Sequence, residues 1–332
     1  MSRPTVTAVI TSQDRAAFLP EAVTSALTAG ADEVLVVRNF SEPIAGVEGR
    51  YRDLPCPERE TGNKHAVGVE GARGDLIAFL DDDDMWVPEK LDRVRTRFGD
   101  DPNLVYYCHG QTAVDVEGRP VDARHPEFRT REPAAFLGWD PAKIDDLFDR
   151  IWPGNNSSTV VRRSWALRWT PLLRSAGWAA DRVWITAALL DRGGIAMDPA
   201  RLTRLRLHDL NMSHARVRSP SEFRERHGTA SARFARACTE LARVAAEKEG
   251  PASPIARHFS EWGAAFQFFA DLENGTHPRR SAIRELREGP GRRDRGAGLS
   301  ALVALISPAL ARRLLFQRSQ KRWRLGTIGT GP

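Results

Sequence analysis

The sequence concentrates acid at one point. Asp81, Asp82, Asp83 and Asp84 follow directly on the apolar run "LIAFL". Adjacent like charges repel, so four of them behind a buried strand need a compensating partner. Carboxylates two residues apart on a chain leaving a strand converge on one hard cation. Mg2+ and Mn2+ take oxygen ligands and bridge them to phosphate oxygens. Such an ion offsets the repulsion and neutralises charge on a departing diphosphate. The same aspartates also suit the start of a helix near Pro88, where acids and a first-turn proline are favoured. Composition alone leaves both readings open.

The elements that must position this cluster read as alternating strands and helices. "TVTAVIT" is a buried strand, "AAFLPEAVTSALTAG" a helix capped at Gly30, and "DEVLVVRN" a second strand. This order implies a parallel sheet with right-handed crossovers. A Pro- and charge-rich loop follows over residues 41–60. "NKHAVGVEGARG" then reads as a helix ending at Gly74, "DLIAFL" as a third strand, "VPEKLDRVRTRF" as a helix and "NLVYYCHGQTAVDV" as a strand. Residues 117–149 are irregular. "STVVRRSW" reads as a strand entering a helix, and "AADRVWITAALLDRGG" as a helix. From about Ser219 two long helices flank "PASP". The expected architecture is α/β, a Rossmann-like, mostly parallel sheet flanked by helices. This α/β domain spans 1–215, with a helical C-terminal region over 216–332. In such a sheet, ligands bind beyond the carboxyl ends of the strands, which is where the aspartates fall.

The chain has 332 residues, 41% hydrophobic and 28% charged, enough for a core that needs no staples. Cys56, Cys108 and Cys238 are widely spaced, which suggests neither a disulfide framework nor a zinc site and fits a reduced, cytoplasmic compartment. No secretory leader or membrane-crossing run is expected. The net charge of +6 is largely arginine and gathers toward the C-terminus. No nucleic-acid-binding module is recognisable, so no nucleic-acid partner is expected. A nucleotidyltransferase would carry a glycine-rich loop after the first strand. "TSQDRAAFLP" has no glycine.

The wording "GARGDLIAFLDDDDMWVPEKL", preceded by strand, "PEAVTSALTAG" helix and strand, resembles the inverting family 2 glycosyltransferases of the GT-A fold. The match is dense over Gly71–Leu91 and extends more weakly to about His214. The resemblance implies a nucleotide-diphosphate sugar as donor and a divalent metal, Mn2+ or Mg2+, as cofactor. It makes Asp81 and Asp83 the paired metal ligands, with Asp81 and Asp82 also at the donor and Asp84 behind them. Thr11 and Ser12, at the first strand's end, are expected to contact the nucleotide. The second strand departs from the pattern, ending in Arg38 and Asn39 where acids are customary. Arg38 becomes a candidate for a phosphate, as does Lys64 or His65. Ala66 stands where an asparagine is usual.

Inverting transfer also needs a base for the acceptor hydroxyl. By the resemblance that base is Asp181, with Ala180 in place of the usual glutamate. Asn155, Asn156 and Ser157 are candidates for sugar hydroxyls. Arg206 and His208 are candidates for the diphosphate and the metal. The acceptor is a glycan, a lipid-linked molecule or a small molecule. Beyond residue 299, an apolar run broken by Pro308 and followed by Arg, Lys321 and Trp323 suits peripheral contact with a membrane surface. The alternative is a helix packed on its own domain with a solvated basic end. The losses at Arg38, Ala66 and Ala180 are also compatible with a homologue that binds nucleotide-sugar but transfers weakly.

Overall fold

The computed structural model describes residues 3–14, 16–121, 144, 147–148, 154–208, 211, 217–276, 302–304 and 306–326. It divides into two compact units, the first reaching Leu207 and the second running from His208 to Pro332.

The first unit is built on one eight-stranded sheet. Strand β1 (Val6–Ser12) lies between β2 (Glu33–Arg38) and β4 (Leu76–Asp81), parallel to both. The edge strand β3 (Arg52–Pro55) pairs in parallel with β2. The other side of β4 takes β7 (Thr159–Arg162) antiparallel, followed by β6 (Leu104–Val114), β8 (Gly194–Arg206) and β5 (Met85–Trp86). The sheet is therefore mixed: β4–β7, β6–β7 and β5–β8 are antiparallel, and β6–β8 is parallel.

Alternation along the strands divides the core. Val6, Ala8, Ile10, Val34, Val36, Leu76, Ala78 and Leu80 pack in one cluster with α1 (Leu19–Thr28) and α3 (Lys90–Asp100). Val9 and Phe79 point to the other face, toward α2 (Thr61–Gly71) and α6 (Ala180–Leu190). Both faces of β1, β2 and β4 are covered, which is why these strands read as continuous apolar runs. Burying each large apolar side chain contributes about 1.5–3 kcal/mol. That sum holds the charged loop ends in place.

Four short elements are also described in the unit: the 3₁₀ turn Asn156–Ser158, α4 (Arg163–Ala166), the 3₁₀ turn Leu167–Trp169, and α5 (Thr170–Ala176). β3 and β8 lie outside the sequence reading. The four residues of β3 hold one large apolar side chain, Leu54. In β8, Pro199 sits at an irregularity where the register with β6 shifts around Gly110. The helix expected to reach Gly74 stops at Gly71, and the one expected from Val87 begins at Lys90.

The second unit contains α7 (Pro220–Glu249), α8 (Pro254–Glu273) and α9 (Pro308–Gly326). Ser219 and Ser253 cap the first two, accepting from the N–H groups of Glu222 and Ala256, both at 3.1 Å. Phe223, Phe268, Leu272, Ala311 and Leu315 form its core.

Helix α2 approaches α5 very closely. Gly62 N–H donates to Gly177 O at 2.8 Å, and a Cβ on Gly62 would lie 2.1 Å from Leu173 O. Gly62→Ala must push two backbones apart. The expected loss is about 1–3 kcal/mol, read as a lower urea midpoint at unchanged slope. An unchanged midpoint would rule out this close approach.

Candidate active site

The parallel strands bring their carboxyl ends to one place. In the β1–β4 register Thr11 is opposite Asp81, and in the β1–β2 register Ser12 is opposite Arg38. Beyond them Asp82, Asp83 and Asp84 are all buried, each at most 6% exposed. Charges this close, and this dry, need donors.

The donors come from distant parts of the chain. Ser12 Oγ donates to Asp82 Oδ2 at 2.6 Å. Ser157 Oγ donates to Asp84 Oδ2 at 2.6 Å and accepts from Asp81 N–H at 3.0 Å. The N–H of Arg206 donates to Asp84 Oδ1 at 2.9 Å. Thr11 Oγ1 and Asn156 Nδ2 each stand 3.4 Å from Asp81 Oδ1. Even so, burial, together with Asp83 and Asp81, pushes the Asp84 carboxyl well above the usual range. Asp84 is thereby suited to hold the loop rather than a ligand.

Ser157 is a node as well as a donor. Its carbonyl accepts from Lys90 Nζ at 2.7 Å, Thr203 Oγ1 at 2.8 Å and Trp86 Nε1 at 3.1 Å. Lys90 is fully buried with its ammonium 4.0 Å from the Trp86 ring centre, and burial pushes its pKa well down. Sequence reasoning assigned Lys90 no role. Its only signal was its place in "MWVPEKL". Ser157 was read as a candidate for sugar hydroxyls, whereas its side chain ties the two ends of the aspartate run.

The remaining candidates are distributed as follows. Arg206 is 1% exposed. Its guanidinium donates to Asp83 O at 3.0 Å, to Val116 O and to Glu21 Oε2 at 2.6 Å, and it stacks over Phe18 at 4.3 Å. It stands directly behind the aspartates with its donors engaged by protein. Arg38 is likewise buried, donating through Nε to both Asp53 oxygens at 2.9 and 3.0 Å and through Nη1 to Glu42 O. Lys64 is buried and donates to Glu58 O at 2.5 Å and Cys56 O at 3.3 Å. Asn155 and Asn156 each keep a buried Oδ1 without a partner, and Asn156 does so beside Asp81. His208 falls in the second unit, where its N–H donates to Asn211 Oδ1.

Asp181 lies in the first turn of α6, and its Oδ1 accepts from Arg182 N–H at 2.9 Å. The turn leading into it is strained. Ala179 has φ 56°, a left-handed conformation that costs a residue with a Cβ about 1–2 kcal/mol. Three residues on, Trp184 anchors α6. Its ring stacks at 5.5 Å on Phe79 of β4, and its Nε1 donates to His65 Nδ1 at 3.2 Å. His65 in turn stacks on Phe79 at 4.1 Å and is fully buried, which makes it a core residue that ties α2 to α6.

Residues 7–140 match the family model described as Glycosyl transferase family 2. An uncharacterized glycosyltransferase of Haemophilus influenzae is 31% identical over 108 residues, 30% of this chain and 37% of its own length. EpsH of Bacillus subtilis is 25% identical over 126 residues, 38% of this chain and 35% of its own. The matched stretch thus spans little more than a third of either relative. Among solved structures, TarS 1-349 of S. aureus aligns over 96% of this chain and 92% of its own with a TM-score of 0.50, at 13% identity, a likeness of fold. Sheet, flanking helices and acidic loop together define the GT-A architecture. The stretch that matches the family model takes in Gly71–Leu91, whose wording carries the resemblance.

Burial pushes the His65 pKa down to about 3 from an ordinary 6.5. Between those values the unfolded chain takes up a proton that the folded chain refuses. Stability is therefore whole above pH 6.5 and falls as pH drops, at up to about 1.4 kcal/mol per pH unit. His65→Asn lowers stability overall but flattens this slope by about one proton. Urea unfolding over the same window checks it, and an unchanged slope would remove His65 from the account.

Proposed function

We propose that this protein is a metal-dependent inverting glycosyltransferase that moves a sugar from a nucleotide-diphosphate sugar to an acceptor hydroxyl. The observation that carries the reading is the acidic loop at the carboxyl ends of β1 and β4, in the stretch that matches the glycosyl transferase family 2 model. The residues fit a divalent cation. Asp82 and Asp84 are engaged at 2.6 Å by Ser12 and Ser157, while Asp81 receives contacts of 3.4 Å. Asp81 and Asp83, two residues apart on the loop leaving β4, would supply two carboxylates, with substrate phosphates and water completing the shell. Among the described residues no group of three or more His, Cys, Asp and Glu could hold an ion alone, consistent with a site completed by substrate.

In this reading Asp81 and Asp83 would hold Mn2+ or Mg2+, which when bound would supply positive charge to the departing diphosphate. Thr11 and Ser12 receive the nucleotide. Asn155 and Asn156 offer their unpartnered oxygens to hydroxyls of the donor sugar. Arg38, Lys64 and Arg206 act from behind as fixed positive charge. Asp181 takes the proton of the acceptor hydroxyl as its oxygen bonds to the anomeric carbon, and the bond from that carbon to the diphosphate oxygen breaks. Attack from the opposite face inverts the configuration. The class of acceptor stays open among glycan, lipid-linked and small-molecule hydroxyls.

A second reading, donor binding with little transfer, is favoured by Ala180 beside the base. One set of experiments separates the two. Calorimetric titration with a panel of nucleoside diphosphates and their sugars, with and without Mn2+, is expected to find one metal-dependent binder. Asp83→Ala should weaken it by about 100-fold. Failure of every nucleotide to bind would sink the donor site. With the donor and acceptor in hand, Asp181→Asn should leave donor affinity unchanged and lower turnover by about 10²–10⁴. Binding without turnover in the unsubstituted protein would select the second reading.

A further inference from the structure

Large apolar side chains are exposed at four described positions: Val116 at 43%, Leu302 at 41%, Ile306 at 89% and Leu310 at 48%. Three of the four stand four residues apart near the end of the second unit. Backbone bonds carry the helical pattern through this stretch. Ser307 N–H donates to Val303 O at 2.8 Å, and Ala311 N–H to Ser307 O at 3.0 Å. Each step of four residues advances about 40° around a helix, so Leu302, Ile306 and Leu310 form one stripe. Arg313 and Gln317, both exposed, continue it. Ala304, Ala311 and Leu315 lie on the opposite side and are buried against Phe223, Phe268 and Leu272. The inward face is satisfied and the outward face is not.

Charge says what could cover it. From Gly296 to Pro332 the sequence holds six of the chain's 49 Lys and Arg and none of its 43 Asp and Glu, so this segment carries a charge equal to the whole net +6. A second copy of the same face would bring cations against cations. A nucleic acid would answer the cations but leave Leu302, Ile306 and Leu310 in water. An anionic bilayer surface answers both, taking the apolar stripe below the headgroups and the cations among them. The stripe is too short to cross, and no helix among the described residues is long and apolar enough to do so.

We propose that Leu302, Ile306 and Leu310, with Arg313 beside them and the net positive charge of the segment, form a docking surface for an anionic lipid membrane on which this segment lies flat. The proposal does not rest on the donor site. Its test is co-sedimentation of the full chain with vesicles of phosphatidylcholine alone and of phosphatidylcholine with phosphatidylglycerol. Binding is expected to the anionic vesicles, to weaken with salt, and to fall by about tenfold or more in Ile306→Ser/Leu310→Ser. Ile306→Trp should tighten it. These side chains are exposed, and circular dichroism checks that the helices persist. No binding to anionic vesicles, or equal binding by the double variant, overturns the proposal. So does a lipid-free dimer, seen by light scattering, that the double variant converts to monomer, because the occupant is then a second copy.

Discussion

Four consecutive aspartates, three of them almost wholly out of water, are the constraint around which the first unit is organised. Their mutual repulsion and their lost hydration both oppose folding. The protein meets this with donors placed at fixed positions: hydroxyls of Ser12 and Ser157, the N–H of Arg206, and, one shell out, the buried ammonium of Lys90. Each of these sits on a different element. The loop can keep its shape only while β1, the turn before β7, β8 and α3 are all in place, so local chemistry is tied to global topology.

That tie explains the antiparallel half of the sheet. A purely parallel sheet would end β4 at Asp81 with nothing beside the loop on its far side. Inserting β7 antiparallel to β4 starts that strand next to Asp81 and brings the preceding turn, Asn156–Ser158, against the aspartates. β8 runs parallel to β6 and delivers Arg206 at its own carboxyl end. The Ser157 carbonyl, shared by Lys90, Thr203 and Trp86, joins the two additions. The mixed sheet is thus the arrangement that lets two return strands close over one acidic loop.

The elements legible in the sequence were those whose signal is local. β1, β2 and β4 are covered on both faces and read as unbroken apolar runs. α7 and α8 carry capping serines and helical spacing. The acidic loop announced itself by composition. β3 and β8 were illegible because pairing, not side-chain pattern, makes them strands: one is four residues at an edge, and the other contains a proline at a bulge. Among site residues, types were legible and partnerships were not. Arg38, Lys64 and Arg206 look like phosphate ligands in a sequence because nothing there reveals Asp53, the Glu58 carbonyl or Glu21. Ser157 looked like a sugar contact because its two side-chain partners, Asp81 and Asp84, lie more than 70 residues away.

The second strand shows the same lesson with a sharper consequence. The family pattern places acid at the end of β2, and this chain places Arg38 and Asn39 there. The acid has not vanished from the corner. Asp53, on the neighbouring strand β3, forks onto the Arg38 guanidinium. Asp14, following β1, accepts from Asn39 Nδ2 and pairs with Arg59, while its own N–H donates to Asn39 Oδ1 at 3.0 Å. Asp14 holds φ 56° to do so, a strained conformation just beyond the strand end. Two carboxylates are therefore present, 41% and 46% exposed, and each is paired with a guanidinium. A nucleotide base or ribose that depends on a bare carboxylate there would have to displace Arg38 or Arg59. One that can pair with an amide and a guanidinium would not. In the proposed reading, the base and ribose of the donor would be met at the ends of β1, β2 and β3, away from the aspartates that would hold its phosphates.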